Sequence, residues 1–284
     1  MTRYSLQHDK LKLEVESLGA RIMRLSYEGT EIMKTAKTDL QGYNGMVLAP
    51  WPNRIPDGKY SFQGEDYELE INELDRNNAL HGFAFQREFE LIEKTKNSLT
   101  LSADMFLADG YPFDVQLKIT YLLTDEGFQC SVTATNNSEM VAPFGIAFHP
   151  YYPVTDETKI SLPARQHILT NDRMIPTGEQ PNQLKSFMFS EVDLDDCFLN
   201  LDREGDLANT HVESPGQILT LWQDQAFDFI MVYTTNEFDS ISGPQKAIAI
   251  EAQSCEANAF NTNPPLLQPR ESFTGGWGVS LAKS

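Results

Sequence analysis

The 284-residue chain is 40% hydrophobic and 22% charged, the composition of a soluble globular protein with enough material for a large core. Its 41 acidic residues outnumber 22 basic ones, and the formal charge of −19 repels phosphate backbones and anionic lipid, so neither nucleic acid nor membrane is an expected partner. The opening "MTRYSLQHDKLKLEVESLG" lacks the apolar stretch of a secretory signal, and no run of about 18 apolar residues occurs anywhere, so a cytoplasmic location is expected.

Along the chain, Leu11, Leu13 and Val15 alternate with polar residues and predict a first strand. "PWPNRIPDG" then sets Arg54 among prolines and Trp51, a stiff loop that suits either a sugar platform or plain packing. "YSFQGEDYELEI" reads as a hairpin turning at Gln63-Gly64. "NNALHGFAFQREF" places His81 before Gly82 in a turn, a further candidate for a site. Val115, Leu117, Ile119, Tyr121 and Leu123, then Phe128, Cys130, Val132 and Ala134, predict two strands joined tightly by "TDEG". Asn136-Asn137-Ser138 matches a glycosylation sequon but is expected to be a polar turn.

In "PFGIAFHPYYPV", extended backbone puts Phe144, Ile146 and Phe148 on one side and Gly145, Ala147 and His149 on the other. The aromatic side suits a core. The other side is nearly bare before the imidazole, so either another element packs there or something else fills the space. "QKAIAIEAQS" repeats the pattern, with Ile248 and Ile250 opposite Ala247, Ala249 and Glu251. A strand-end histidine is often structural and a strand-end glutamate often solvated. Two matching small-residue faces that each lead to an acid–base group instead point to a concave, ligand-sized space.

Breaker-rich "NTNPPLLQPRESFTGGWG" precedes a final strand at Gly278–Leu281. Turn punctuation recurs in "YEGTE", "IPDGK", "ADGYP" and "ISGPQ", and no dozen residues show strong helical periodicity. The expected fold is all-β, a large antiparallel β-sandwich, and the lack of a linker or repeat predicts a single domain over residues 1–284. Cys130, Cys197 and Cys255 are odd in number without C-x-x-C spacing, so free thiols are expected.

"NRIPDG" with Arg54, "NALHG" with His81, "FHPYY" with His149, "LDDCFLNL" with Asp195 and "IEAQSCEANAFN" with Glu251 stand in the order seen in aldose 1-epimerases. From about Asn44 onward the chain resembles that family, a galactose-mutarotase-type β-supersandwich. The resemblance implies that Glu251 is a general base on the anomeric hydroxyl and His149 a general acid on the ring oxygen, the sugar opening, rotating about C1–C2 and reclosing as the other anomer. It further implies that Arg54, His81 and Asp195 bind hydroxyls of a monosaccharide, with no metal or organic cofactor. A Glu251 able to act near neutrality requires a pocket that raises its proton affinity.

Some features depart from the pattern or leave room for other readings. Phe148 and Pro150 replace two polar residues that commonly flank the acid, and Met231 stands where a substrate-contacting glutamine is often found. Asp196 is one step from Asp195, and with Glu191 and Asp193 it offers either a hard-cation cluster or a solvated loop, though without EF-hand spacing. Three alternatives to an enzyme acting on free aldohexoses are carried. The first is a hexose-6-phosphate epimerase using Arg76 and Arg87, and the second a non-catalytic sugar binder on the same fold. The third is lyase-like chemistry through Tyr151 and Tyr152.

Overall fold

Alternation in the sequence becomes antiparallel pairing in a computed structural model that describes residues 1–36, 41–105 and 110–282. Val115–Thr124 pairs residue for residue with Gly127–Asn136, Thr124 meeting Gly127 across the "TDEG" turn. Lys59–Phe62 and Glu65–Glu68 close the hairpin at Gln63-Gly64. Ala108 and Asp109 of "ADGYP" lie outside the described residues.

Nine strands form one large sheet, including Ser98–Met105, Val115–Thr124, Gly127–Asn136 and Ser272–Ala282. Eight form a second, with Ala164–Thr170, Asp195–Leu201, Phe229–Ser240 and Gly243–Gln253 in spatial order at its centre. Leu117, Ile119 and Val132 of the first sheet and Phe198, Ile230, Val232, Ile248 and Ile250 of the second belong to one buried cluster, so the sheets enclose a shared core. Each such side chain contributes about 1.5–3 kcal/mol by leaving water. The architecture is thus an all-β antiparallel sandwich. The one α-helix among the described residues, Ala259–Thr262, is four residues long, and no helix is long and apolar enough to cross a membrane. Cys130, Cys197 and Cys255 are free and buried.

Several details differ from the sequence reading. The stretch from Pro143 to Val154 is not one strand but three short ones, Ala142–Pro143, Ala147–Phe148 and Tyr151–Pro153. Proline at 150 has no N–H to donate, and the donors before it bond outside the sheet, His149 N to Met46 O and Gly145 N to Pro50 O. The space beside Gly145 and Ala147 is filled by protein. A Cβ on Gly145 would lie 2.5 Å from Cys255 Sγ, and Ala147 packs with Met46, Leu48 and Phe85. Glu251 is inside its strand, which runs on to Gln253. The last strand begins at Ser272, because Gly275 and Gly278 let Phe227 and Trp222 pack directly on its backbone.

Candidate active site

His149 lies between two short strands that both pair with Gly243–Gln253. Ala147 faces Gln253 and Tyr151 faces Ala249, so the position opposite His149 is Glu251. On its other side Glu251 faces Met231, which faces Cys197. One ladder step away, Tyr151, Ala249, Tyr233 and Asp195 form a parallel row on the same face. The site floor is therefore two adjacent rows of one sheet. Its cavity of about 430 Å³ is lined by Arg54, His81, His149, Asp195 and Glu251, together with Tyr43 and Met231. Such a volume suits a small polar ligand.

His149 Nε2 is 3.1 Å from Glu251 Oε1, with both side chains buried. Tyr151 stacks on the imidazole at 5.0 Å between ring centroids, and Ala249 beneath Tyr151 leaves room for that ring. Tyr151, Phe238 and Ala36 pack over Ala247 and Ala249, so the small-residue face holds an aromatic wall rather than ligand.

The opposite side of the cavity is built by two strands, Arg54–Pro56 and Asn78–Leu80, and the turns beside them. Asn53 and His81 both adopt left-handed backbone, at φ 58 and 66, and lock to each other: His81 N donates to Asn53 O at 2.9 Å, and Asn53 N donates to His81 Nδ1 at 3.1 Å. An Nδ1 that accepts leaves the neutral ring's proton on Nε2. Gly82 follows at φ +63, where a Cβ would meet Ala49 O at 2.1 Å, so only glycine fits.

Arg54 is held from three directions. Its Nε lies 3.1 Å from each oxygen of Glu73, Nη1 donates to Asn53 Oδ1 at 3.2 Å, and Nη2 donates to Asp195 Oδ2 at 3.3 Å. Arginine has five N–H donors, so two stay available for a ligand. Glu73 also accepts from Arg76 Nη1 at 3.2 Å and Asn78 Nδ2 at 2.7 Å.

Burial dominates the electrostatics. It pushes His149 down to about 3 and holds Glu251 well above the ordinary carboxylate range, with the charge of Asp195 adding to the rise. His81 is pushed well below its ordinary value, first by burial and then by His149 and Arg54. Asp195 is raised by burial against the pull of Arg54. Burial thus favours the neutral His149 imidazole and Glu251 carboxylic acid over the ion pair. Their ion-pair form carries the same number of protons and is reached by one transfer across the 3.1 Å contact.

All five residues singled out in the sequence line this cavity. Asp195 faces it, whereas Asp196, on the other face of the strand, accepts a 2.7 Å hydrogen bond from His167 Nε2. Glu191 Oε2 accepts the Met188 N–H, and among the described residues no three His, Cys, Asp or Glu side chains converge as metal ligands. Asn53, Glu73, Tyr43 and Gln253 escaped the sequence reading. Asn53 was legible as Arg54's neighbour in "NRIPDG", while Glu73 lies in an unremarkable acidic turn. Arg87 is apart from the cavity, its guanidinium 5.0 Å from the Phe83 ring centroid.

With this geometry in view, the relatives are informative. The chain is 29% identical over 268 residues to the uncharacterized protein YihR of Escherichia coli K12, covering 89% of this chain and 84% of that protein. It is 24% identical over 320 residues to the galactose mutarotase of Sus scrofa, covering 95% and 91% respectively. The GalM/aldose epimerase homologue from C. elegans superposes with a TM-score of 0.87 at 17% identity over 99% of both chains, which shows a shared fold. The family model for aldose 1-epimerase matches residues 2–279, reaching further toward the N-terminus than the motifs beyond Asn44, and the chain belongs to the aldose 1-epimerase family.

Proposed function

We propose that the protein interconverts the α and β anomers of a free aldohexose such as glucose or galactose. The observation that carries this reading is the buried His149–Glu251 contact, 3.1 Å across, inside a cavity sized for one sugar ring. A site that only bound sugar would have no use for an acid and a base sharing one proton.

The closed pyranose needs the ion-pair form. Glu251 carboxylate takes the proton of the anomeric hydroxyl, His149 imidazolium protonates the ring oxygen, and the C1–O5 bond breaks to give the aldehyde. This step leaves Glu251 protonated and His149 neutral, the form that burial already favours. After rotation about C1–C2, His149 takes the proton of the C5 hydroxyl as that oxygen attacks the other face of the carbonyl, and Glu251 gives its proton to the former aldehyde oxygen. Each turnover restores the starting protonation, so no solvent proton is needed. The two free N–H groups of Arg54, the Nε2–H of His81 and the Asp195 carboxylate supply donors and an acceptor for ring hydroxyls.

An uncharged sugar fits the charges better than a phosphorylated one. Arg54 and Arg76 both line the cavity but share Glu73, and Asp195 also faces Arg54, so carboxylates offset the positive charge that a dianion would need, while Arg87 sits elsewhere. Polarimetry of freshly dissolved α-glucose and α-galactose tests the reading. The wild type is expected to accelerate the rotation change, and Glu251→Gln and His149→Gln each to reduce kcat by roughly 10²- to 10⁴-fold. Undiminished acceleration by Glu251→Gln removes it from the chemistry. Tight sugar binding without acceleration of any aldose makes the protein a sugar binder.

A further inference from the structure

We infer that Gln253 is a positioning residue that decides which oxygen of Glu251 carries the exchanging proton, an inference that rests on the base role proposed above for Glu251. Gln253 is fully buried and lies two residues beyond Glu251 on the same face of the strand, its backbone paired with Ala147 on one side and Phe229 on the other. Its Nε2 donates to Glu251 Oε2 at 3.3 Å. Its Oε1 is buried and has no hydrogen-bond partner among the described residues.

A half-satisfied amide in a buried position costs stability that methionine or leucine of similar volume would avoid. What the amide supplies, and they would not, is the N–H aimed at Glu251. The two carboxyl oxygens are thereby made unequal. Oε2 accepts from Gln253, so the proton of the acid form belongs on Oε1, the oxygen 3.1 Å from His149 Nε2. Proton exchange then runs through one oxygen that faces its partner, and the carboxylate form keeps a donor on the other. Around this carboxyl stand His149 and Tyr151 from the neighbouring segment, Asp195 and Cys197 from the second strand over, and Arg54 from across the cavity. Among the described residues, no other hydrogen bond reaches Oε2.

The test compares wild type with Gln253→Met, which keeps volume and removes the donor, and with Gln253→Asn, which keeps the amide but withdraws it by one methylene. The readouts are the infrared carbonyl band of protonated Glu251, identified by its loss in Glu251→Gln, and the pH profile of polarimetric kcat/KM. In both variants the band is expected at higher frequency, since the C=O at Oε2 has lost its donor. The kcat is expected to fall about ten-fold with KM unchanged, as removal of a hydrogen bond to a charged group implies. The alkaline limb, where the pair loses its shared proton, moves to higher pH because the carboxylate is less supported. An unmoved band in folded variants overturns the inference. A moved band with an unmoved rate profile upholds the Gln253–Glu251 coupling and instead removes Glu251 from the role of base.

Discussion

Replacing Glu251 by glutamine reads the buried pair through stability rather than turnover. The ordinary values are 6.5 for histidine and 4.5 for glutamate, and in the folded protein His149 drops to about 3 while Glu251 rises well above 4.5. Between 4.5 and 6.5 the unfolded chain carries imidazolium and carboxylate, and the folded protein neutral imidazole and carboxylic acid. Both states hold one proton, so the pair contributes no pH dependence in that window. Above 6.5 the unfolded histidine releases its proton, and over the range in which the raised Glu251 keeps its own, stability falls by about 1.4 kcal/mol per pH unit. Below 4.5 the unfolded glutamate gains a proton that the folded pair does not take up until about 3, and stability falls with decreasing pH. In Glu251→Gln only the depressed histidine remains. Its contribution is fully present above 6.5 and is lost as pH drops toward about 3. The variant-minus-wild-type difference, in which all other titrations cancel, should therefore change in the variant's favour as pH rises above about 6.5, by about 1.4 kcal/mol for each pH unit over which Glu251 keeps its proton. Urea unfolding followed by tryptophan fluorescence across that range measures it. A difference that stays constant refutes the assignment of one shared, buried proton to this pair.

Two further substitutions address the supporting frame. Glu73→Gln removes the charge that holds Arg54 and Arg76. Arg54 keeps Asp195 and Asn53, so the loss falls at the low end for a broken buried pair, about 3 kcal/mol, and a calorimetric Tm about 5 °C lower is expected, with a raised KM for sugar. An unchanged Tm and KM would show that Arg54 is held without Glu73. Gly82→Ala brings a Cβ against Ala49 O at a backbone angle that L-residues disfavour, and should cost at least about 2 kcal/mol, visible as a lower urea midpoint. Because Gly82 follows His81, the loss of stability should be accompanied by weaker sugar binding in calorimetric titration.

Period-two patterns gave the strands directly, since half-buried antiparallel strands write their faces into alternate residues. The small-residue faces of "GIAFH" and "AIAIE" correctly joined His149 to Glu251 but for an incomplete reason. The alanines accommodate Tyr151, Phe238 and the strand's neighbours, and the cavity opens beside them rather than above them. Strand ends were misjudged around Pro150 and Gly275 because breaker residues look alike in sequence whether they end a strand or let another element lie on it. The roles of Asn53 and Gln253 were hidden for a different reason. Each acts through a neighbour already chosen, and only the third dimension shows the main-chain N–H of Asn53 aimed at the His81 imidazole and the side-chain amide of Gln253 aimed at the Glu251 carboxyl. Glu73 is 19 residues from Arg54, which it anchors, with nothing local to distinguish it from other acidic turn residues.

His149 and Glu251 are opposite numbers on neighbouring strands, so their spacing is inherited from main-chain hydrogen bonding and owes little to any loop. In the proposed reaction, hydroxyl recognition by Arg54 and His81 comes by contrast from the turns and short strands across the cavity. The proposed acid–base pair and the proposed hydroxyl contacts thus sit on separate parts of the scaffold. Exchanging the turn segments is expected to change which sugar is taken while the ladder beneath keeps His149 and Glu251 in register.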